Sequence, residues 1–437
     1  MYKKWFCGIL AVILLISLAA CGRNDTPEET VHEIEHHQMV ASPMGLELFE
    51  QPESTTLPGR IAIITGIPQT WRSGASERNL LVSQLMDRYG SGNIRHFMHS
   101  QFAWLPEEQA YLLSVMEEIA QDSETKVVIF SPAALGTDYA ASWLREQRDD
   151  IFIIFLEHNT RTFGGIDAHI NNTVSRGAAI ADLVLNINME ALNQMIPVQA
   201  QRLGAETIVF LDIYPEELER YGIEDFHAVS RDLMRAAAQE IGLNFVEVFR
   251  SEYVVQCGSS AHMYLYETLP GIIEEHGRDI VLIGLGDERM FWETMSYGTI
   301  FPSHVTMTPS PFDIVDWLFV PSVDTMHMDF HSKYNIRHII EETRKTLEEI
   351  GMLGRVSTWP VSVSMMLTYA AVEYGIMWMN GEVPQEGIDT AVLGRIMVDF
   401  IAEYSGEVGL GVTFTPLWDD GTAHLHYIQV FMDYLTY

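Results

Sequence analysis

Two doubly wound parallel-sheet lobes, followed by a mainly helical C-terminal extension, make up the α/β fold this sequence predicts. Three observations carry that reading. Short β-branched apolar runs recur along the first 300 residues, and each is followed or preceded by a stretch of helical period. Runs that apolar suit strands buried on both faces of a parallel sheet. The alternation then stops near Ser310, where helices rich in methionine and aromatic residues take over. At 437 residues the chain exceeds one ordinary core, so more than one domain is expected.

Residues 1–21 have the grammar of a lipoprotein signal peptide. Lys3 and Lys4 give a basic start, Ile9 to Leu18 is apolar, and Leu18-Ala19-Ala20-Cys21 closes the segment. Small residues before the cut suit a signal peptidase, and the apolar stretch is short for a membrane span. A cysteine at the first mature position accepts a diacylglyceryl (and palmitate) anchor, so Cys21 is the expected lipidation site. The expected location is therefore extracytoplasmic, tethered to the cell membrane through the lipid on Cys21. Cys7 leaves with the signal and Cys257 then stands alone, which leaves no pair for an intrachain disulfide.

Residues 22–58 are acidic, carry four prolines and hold no sustained period, as a flexible tether would. His32-Glu33-Ile34-Glu35-His36 matches the zinc-protease spacing H-E-x-x-H, but that chemistry needs a buried helix and a third ligand, and a tether supplies neither. No catalytic zinc is expected there.

The first lobe is expected over 59–187. Arg60–Thr65 is its first strand, and a helix from about Ser76 to Tyr89 presents Leu80, Leu81 and Leu85 to the core. Asn93–Met98 is a second strand, and Pro106 starts a helix that runs to about Gln121, a position where its missing N–H costs nothing. Lys126–Phe130 and Ile151–Phe155 are buried strands around a helix from about Asp138 to Arg148, and Ala181–Asn186 reads as an edge strand. The second lobe, 188–310, repeats the pattern. Its strands are Thr207–Leu211, Asn244–Phe249 and Asp279–Ile283, with helices at about Met189–Leu203, Asp225–Ile241 and Ala261–His276. Residues 311–437 form a crossover and helical extension packing on the lobes, with helices at 336–350, 361–380 and 387–404 and strand character at His424–Phe431.

The motifs Arg60-Ile61-Ala62-Ile63-Ile64-Thr65-Gly66, Ala134-Leu135-Gly136-Thr137, Gly204-Ala205-Glu206-Thr207-Ile208-Val209 and Gly242–Val248 carry a family likeness. The run from Gly59 to about Val320 resembles the type-1 periplasmic solute-binding proteins. Within that superfamily it looks like the bacterial lipoprotein family of domain of unknown function 3798. The resemblance implies a hinged pair of lobes with a cleft between them, and it brings no catalytic residues with it.

The residues themselves offer no catalytic constellation and no metal set. Gly284-Leu285-Gly286 lacks the third glycine of a dinucleotide site, and there is no phosphate loop or nucleophile elbow. His327 and His331 share a helical spacing but sit among Met326, Met328 and Phe330, which suits packing. The expected ligand set lies in the loops at the carboxyl ends of the strands, where open α/β sheets bind ligands. It comprises Gln69, Thr70, Trp71, Ser131, Thr137, Glu157, Asn159, Asp212, Tyr214, Asp287, Arg289 and Ser310. An aromatic face and fixed polar groups are what a cleft ligand needs, with Trp71 on one wall and Asp212 and Tyr214 on the other.

A formal charge of -34 argues against nucleic acid as a partner. Three functions stay open at this point: a lipid-anchored solute binder serving an ABC permease or membrane sensor, a surface hydrolase using cleft Asp, Glu and His residues, or a structural lipoprotein with a vestigial cleft. For the binder, a small polar, sugar-like or nucleoside-like solute is expected, with no cofactor.

Overall fold

The computed structural model describes residues 57–66, 73–99, 105–134, 136–157, 179–213, 228–250, 260–284, 297–302, 311, 336–419 and 422–437. Its centre is a seven-stranded sheet in the order β10-β11-β5-β4-β3-β1-β2. The members are β1 (Arg60–Gly66), β2 (Ile94–His99), β3 (Thr125–Ser131), β4 (Phe152–Leu156), β5 (Leu183–Ile187), β10 (Val412–Asp419) and β11 (Thr422–Met432). All neighbours pair parallel except the edge pair β10 and β11.

Alternation along the strands builds two apolar faces. Ile61 and Ile63, Val127 and Ile129, and Phe152 and Ile154 point to one face. Ala62 and Ile64, Val128 and Phe130, and Ile153 and Phe155 point to the other. The second face is covered by α2 (Pro106–Gln121) and α3 (Thr137–Gln147) through Leu112, Met116, Ala140 and Leu144. Pro106 stands at the start of α2 with Glu107 and Glu108 in its first turn, where negative charge is favourable.

The first face is covered by α1 (Ser73–Tyr89) together with α8 (Val363–Met379), which arrives from nearly 300 residues further along. Helix α8 is apolar on almost every side and buried along most of its length, as a helix wedged inside a protein must be. Gly375 lets it approach β3, since a Cβ there would stand 3.0 Å from Val127 Cγ1. Trp378 stacks on Phe152 of β4 at 4.9 Å between ring centroids.

The second sheet is smaller and all parallel, in the order β7-β6-β8, from β6 (Thr207–Ile213), β7 (Asn244–Arg250) and β8 (Ile280–Gly284). Its helices are α4 (Met189–Arg202), α5 (Ala228–Glu240) and α6 (Ser260–His276). The chain passes between the two sheets more than once. It leaves β5 through Asn188, whose side chain caps α4 by accepting from Ala191 N at 2.9 Å. It returns past the Phe301–Val356 bridge and β9 (Ser357–Thr358) into α8. It crosses again from β11 to β12 (Leu435–Thr436), which pairs with β9. One apolar cluster runs through these crossings, holding Ile63 of the large sheet and Phe210 of the small one with Trp359 and Phe431.

The sheet corrects one expectation. Ala181–Asn186 reads as an edge strand in sequence, yet β5 is internal, because β11 pairs beside it with Tyr427 opposite Val184 and Val430 opposite Ile187. The apolar side chains of β5 are buried by a partner that the local sequence does not contain. The C-terminal region supplies the helices expected of it, α7 (Ile336–Glu349), α8 and α9 (Thr390–Ser405). It also adds β10 and β11, so it completes the large sheet as well as packing on it.

Candidate functional site

In an open parallel sheet the carboxyl ends of two strands diverge where the winding direction reverses, and that gap is the natural ligand position. In the large sheet the reversal lies between β1 and β3, and in the small one between β6 and β8. Thr65 and Ser131 are direct partners across the first gap. Asp212 stands in β6 opposite Phe249, one residue beyond the Leu211–Gly284 pair at the second gap.

Around Thr65 and Ser131 the sheet's apolar layer gives way to a polar one. Ser131 is buried, and its Oγ lies 2.9 Å from Thr368 Oγ1. Thr368 spends its hydrogen on the Ser364 carbonyl at 2.7 Å. A hydroxyl has only one hydrogen to give, so Ser131 is the donor of the pair. Thr65 Oγ1 lies 2.7 Å from His96 Nε2, and burial lowers the His96 pKa, which favours the neutral ring.

Glu157 joins this layer through its backbone. Strand alternation would send its side chain to the face of Ile153 and Phe155, but Glu157 has φ 47°, in the left-handed region. The side chain is thereby directed to the opposite face, where its carboxylate pairs with Arg78 of α1 and accepts from Ser364 Oγ in the first turn of α8. Arg78 also donates to Ser364 Oγ at 3.1 Å. A carboxylate beside a helix N-terminus gains from the peptide dipoles. Arg78 Nε and the Oδ1 of neighbouring Asn79 are buried and have no partner among the described residues. Unmet hydrogen-bonding capacity of that kind is costly unless something supplies the missing bonds.

Of the expected ligand residues, Ser131 and Glu157 converge on the start of α8. Thr137 does not join them: its hydroxyl turns back to the Ala134 carbonyl at 2.7 Å and closes the turn into α3. Asp212 belongs to the other sheet, where its backbone position is described. Gln69, Thr70, Trp71, Asn159, Tyr214, Asp287, Arg289 and Ser310 lie outside the described residues, as do Cys21, Cys257, His327, His331 and the His32–His36 motif. Thr65, Arg78, His96, Ser364 and Thr368 are members of the layer that sequence reasoning passed over. The available signal was two hydroxyl residues one helical turn apart, Ser364 and Thr368, in a helix whose one charged residue is Glu373.

Among the described residues there is no group of three or more His, Cys, Asp or Glu placed to hold a metal, and no helix long and apolar enough to cross a membrane.

Two parallel sheets in tandem, joined by repeated crossings, with switch points at their carboxyl ends, define a type-1 periplasmic-binding-protein-like fold. The chain belongs to the family described as "Protein of unknown function (DUF3798)", which matches residues 60–357. A crystal structure of a protein described as a transcriptional regulator, from Clostridium difficile 630, shares the fold. The two superpose with a TM-score of 0.68 at 16% identity, over 88% of this chain and 100% of that one. A sugar ABC transporter from Actinomyces odontolyticus ATCC 17982 is more distant, with a TM-score of 0.46 at 10% identity over 77% of this chain and 88% of its own. A periplasmic sugar binding protein from Legionella pneumophila has a TM-score of 0.37 at 8% identity, over 74% of this chain and 96% of its own. Among curated proteins none matches this chain.

Proposed function

We propose that this protein is a binder of small polar solutes, sugar-like or nucleoside-like, which it grips between the carboxyl ends of its two parallel sheets. One observation carries the reading: the polar layer of Thr65, Arg78, Ser131 and Glu157 at the β1–β3 switch point, with buried groups that lack partners among the described residues. Such a layer supplies fixed donors and acceptors at the place where this architecture receives ligands. Trp71, Asn159, Asp212, Tyr214, Asp287, Arg289 and Ser310 complete the proposed ligand shell, with Trp71 facing Asp212 and Tyr214 across the gap. The proposed setting is outside the cytoplasm, on a lipid anchor at Cys21, with an ABC permease or membrane sensor receiving the solute or the signal. The function is binding and not catalysis. Residues 59–187 and 188–310 are proposed as the two lobes that close on the ligand, gaining free energy from its preference for the closed form.

A thermal-shift panel of sugars, nucleosides, amino acids and short peptides tests the reading. A saturable rise in melting temperature with one class is expected, and Trp71→Ala should weaken affinity for that ligand about tenfold or more, the loss of roughly 1–3 kcal/mol of ring burial. A panel with no responder, or a Trp71→Ala protein that loses stability while keeping affinity, would refute the proposed site. Replacing Cys21 with Ser should release the protein from the membrane or leave the precursor uncleaved.

A further inference from the structure

The β10–β11 hairpin departs from a regular ladder at one place. Pro416 pairs with Ile428, but the next residue, Leu417, pairs with His424. The register on β10 therefore skips residues 425–427, and β11 bulges there. Bulges bend a strand and re-aim its side chains, and they recur beside functional sites. His424 and His426 flank Leu425, which is 73% exposed. Their ring centroids lie 6.1 Å apart with the ring planes at 90°. The two imidazoles thus stand close together, each half-buried, near the hairpin end of β11.

From this geometry we propose that His424 and His426 form a two-ligand site for a divalent transition-metal ion such as zinc, copper or nickel, the ions that imidazole nitrogen suits. An ion bound at about 2.0–2.1 Å from a ring nitrogen lies about 3.2 Å from that ring's centroid. Two rings on one tetrahedral ion then have centroids about 5 Å apart, and the extreme for opposed rings is about 6.4 Å. The observed separation of 6.1 Å falls inside that span, so the spacing of the rings matches one ion held by both. Among the described residues no third His, Cys, Asp or Glu joins them, and the proposed site has two protein ligands with water in the remaining positions. That is an open site, unlike a closed structural one with four protein ligands. The formal charge of -34 raises the concentration of cations near the surface. Protons compete with the metal for imidazole nitrogen, so binding weakens in acid.

The chain has 16 histidines, including His32, His36 and His37, so the test must resolve individual residues. Full-length protein is treated with diethyl pyrocarbonate at increasing zinc chloride, and acylation of each histidine is read by peptide mass spectrometry. His424 and His426 should become protected together over one zinc range, while labelling of His338 on α7 stays unchanged. In His424→Ala, protection of His426 should need at least tenfold more zinc, whereas Leu425→Ala should behave as wild type. Circular dichroism confirms that the variants fold. Zinc-independent labelling of His424, or unaltered zinc protection of His426 in His424→Ala, would overturn the site.

Discussion

Removing Arg78 should detach the start of α8 from the large sheet. The Arg78 side chain is 6% exposed and that of Glu157 16%, so the pair is largely out of water. Substitution by Met keeps most of the apolar stem and takes away only the charged head. The Glu157 carboxylate then keeps the Ser364 hydroxyl as a side-chain partner but has lost its counter-charge. Breaking a buried pair from one side costs about 3–5 kcal/mol, because the surviving charge is uncompensated. Glu157 retains some contact with solvent, which sets the expectation at the lower end, about 3 kcal/mol. Glu157→Gln keeps the shape and an acceptor for Arg78, and should cost less, about 1–2 kcal/mol. The double variant leaves neither charge stranded, so the two effects should fall short of additivity by about 1–3 kcal/mol. Urea unfolding followed by tryptophan fluorescence measures all four corners of the cycle. Hydrogen exchange at Met365–Thr368 tests the location, since a detached α8 exchanges faster in its first turns than α9 does. An Arg78→Met protein within about 0.5 kcal/mol of wild type, or additive variants, would refute the clasp.

Two further expectations concern the same helix. Gly375→Ala improves helix propensity by about 1 kcal/mol but places a Cβ 3.0 Å from Val127 Cγ1, an overpacking cost of about 1–3 kcal/mol. The net effect in urea unfolding should be a loss, and Val127→Ala in the same chain should recover part of it; a gain from Gly375→Ala alone contradicts the close approach. Glu373 is held above the usual carboxylate range by burial, against the pull of the Tyr89 hydroxyl at 2.6 Å and of Arg88. Its folded form therefore keeps a proton that the unfolded chain has already lost. That contribution is fully present below the ordinary carboxylate pKa and disappears as pH rises through the raised one. Glu373→Gln should remove this decline, so stability profiles of the two proteins should converge in acid and separate toward neutral pH. Parallel profiles across that window argue against the shift.

The strands buried on both faces were legible, because Ile61–Ile64, Val127–Phe130, Ile208–Leu211 and Ile280–Ile283 have nowhere to be except between layers of helices. Helices with a proline or acidic start, such as α2, were legible for local reasons as well. The position of Ser131 and Glu157 at the ends of strands followed from the same grammar. What local sequence does not encode is who arrives from far away. Nothing near Leu183 announces that β11 will lie beside it, and nothing near Arg78 announces Ser364, which is 286 positions on. The place of Glu157 just after β4 was legible, but its direction depends on one positive φ that no composition signal marks.

The insertion of β11 beside β5 also sets an order of events during synthesis. The six parallel strands of the large sheet span Arg60 to Met432, so that sheet cannot be completed until nearly the whole chain has left the ribosome. The small sheet, made from residues 207–284, has all its strands available well before. Until the last segment arrives, β5 presents an unpaired hydrogen-bonding edge, and the face later covered by α8 is bare apolar surface. Half-made chains carrying such edges and surfaces are what chaperones and export factors engage. A stop codon near Val412 would therefore leave α8 in place but β5 permanently without its outer neighbour, a finished layer of helix over an unfinished sheet.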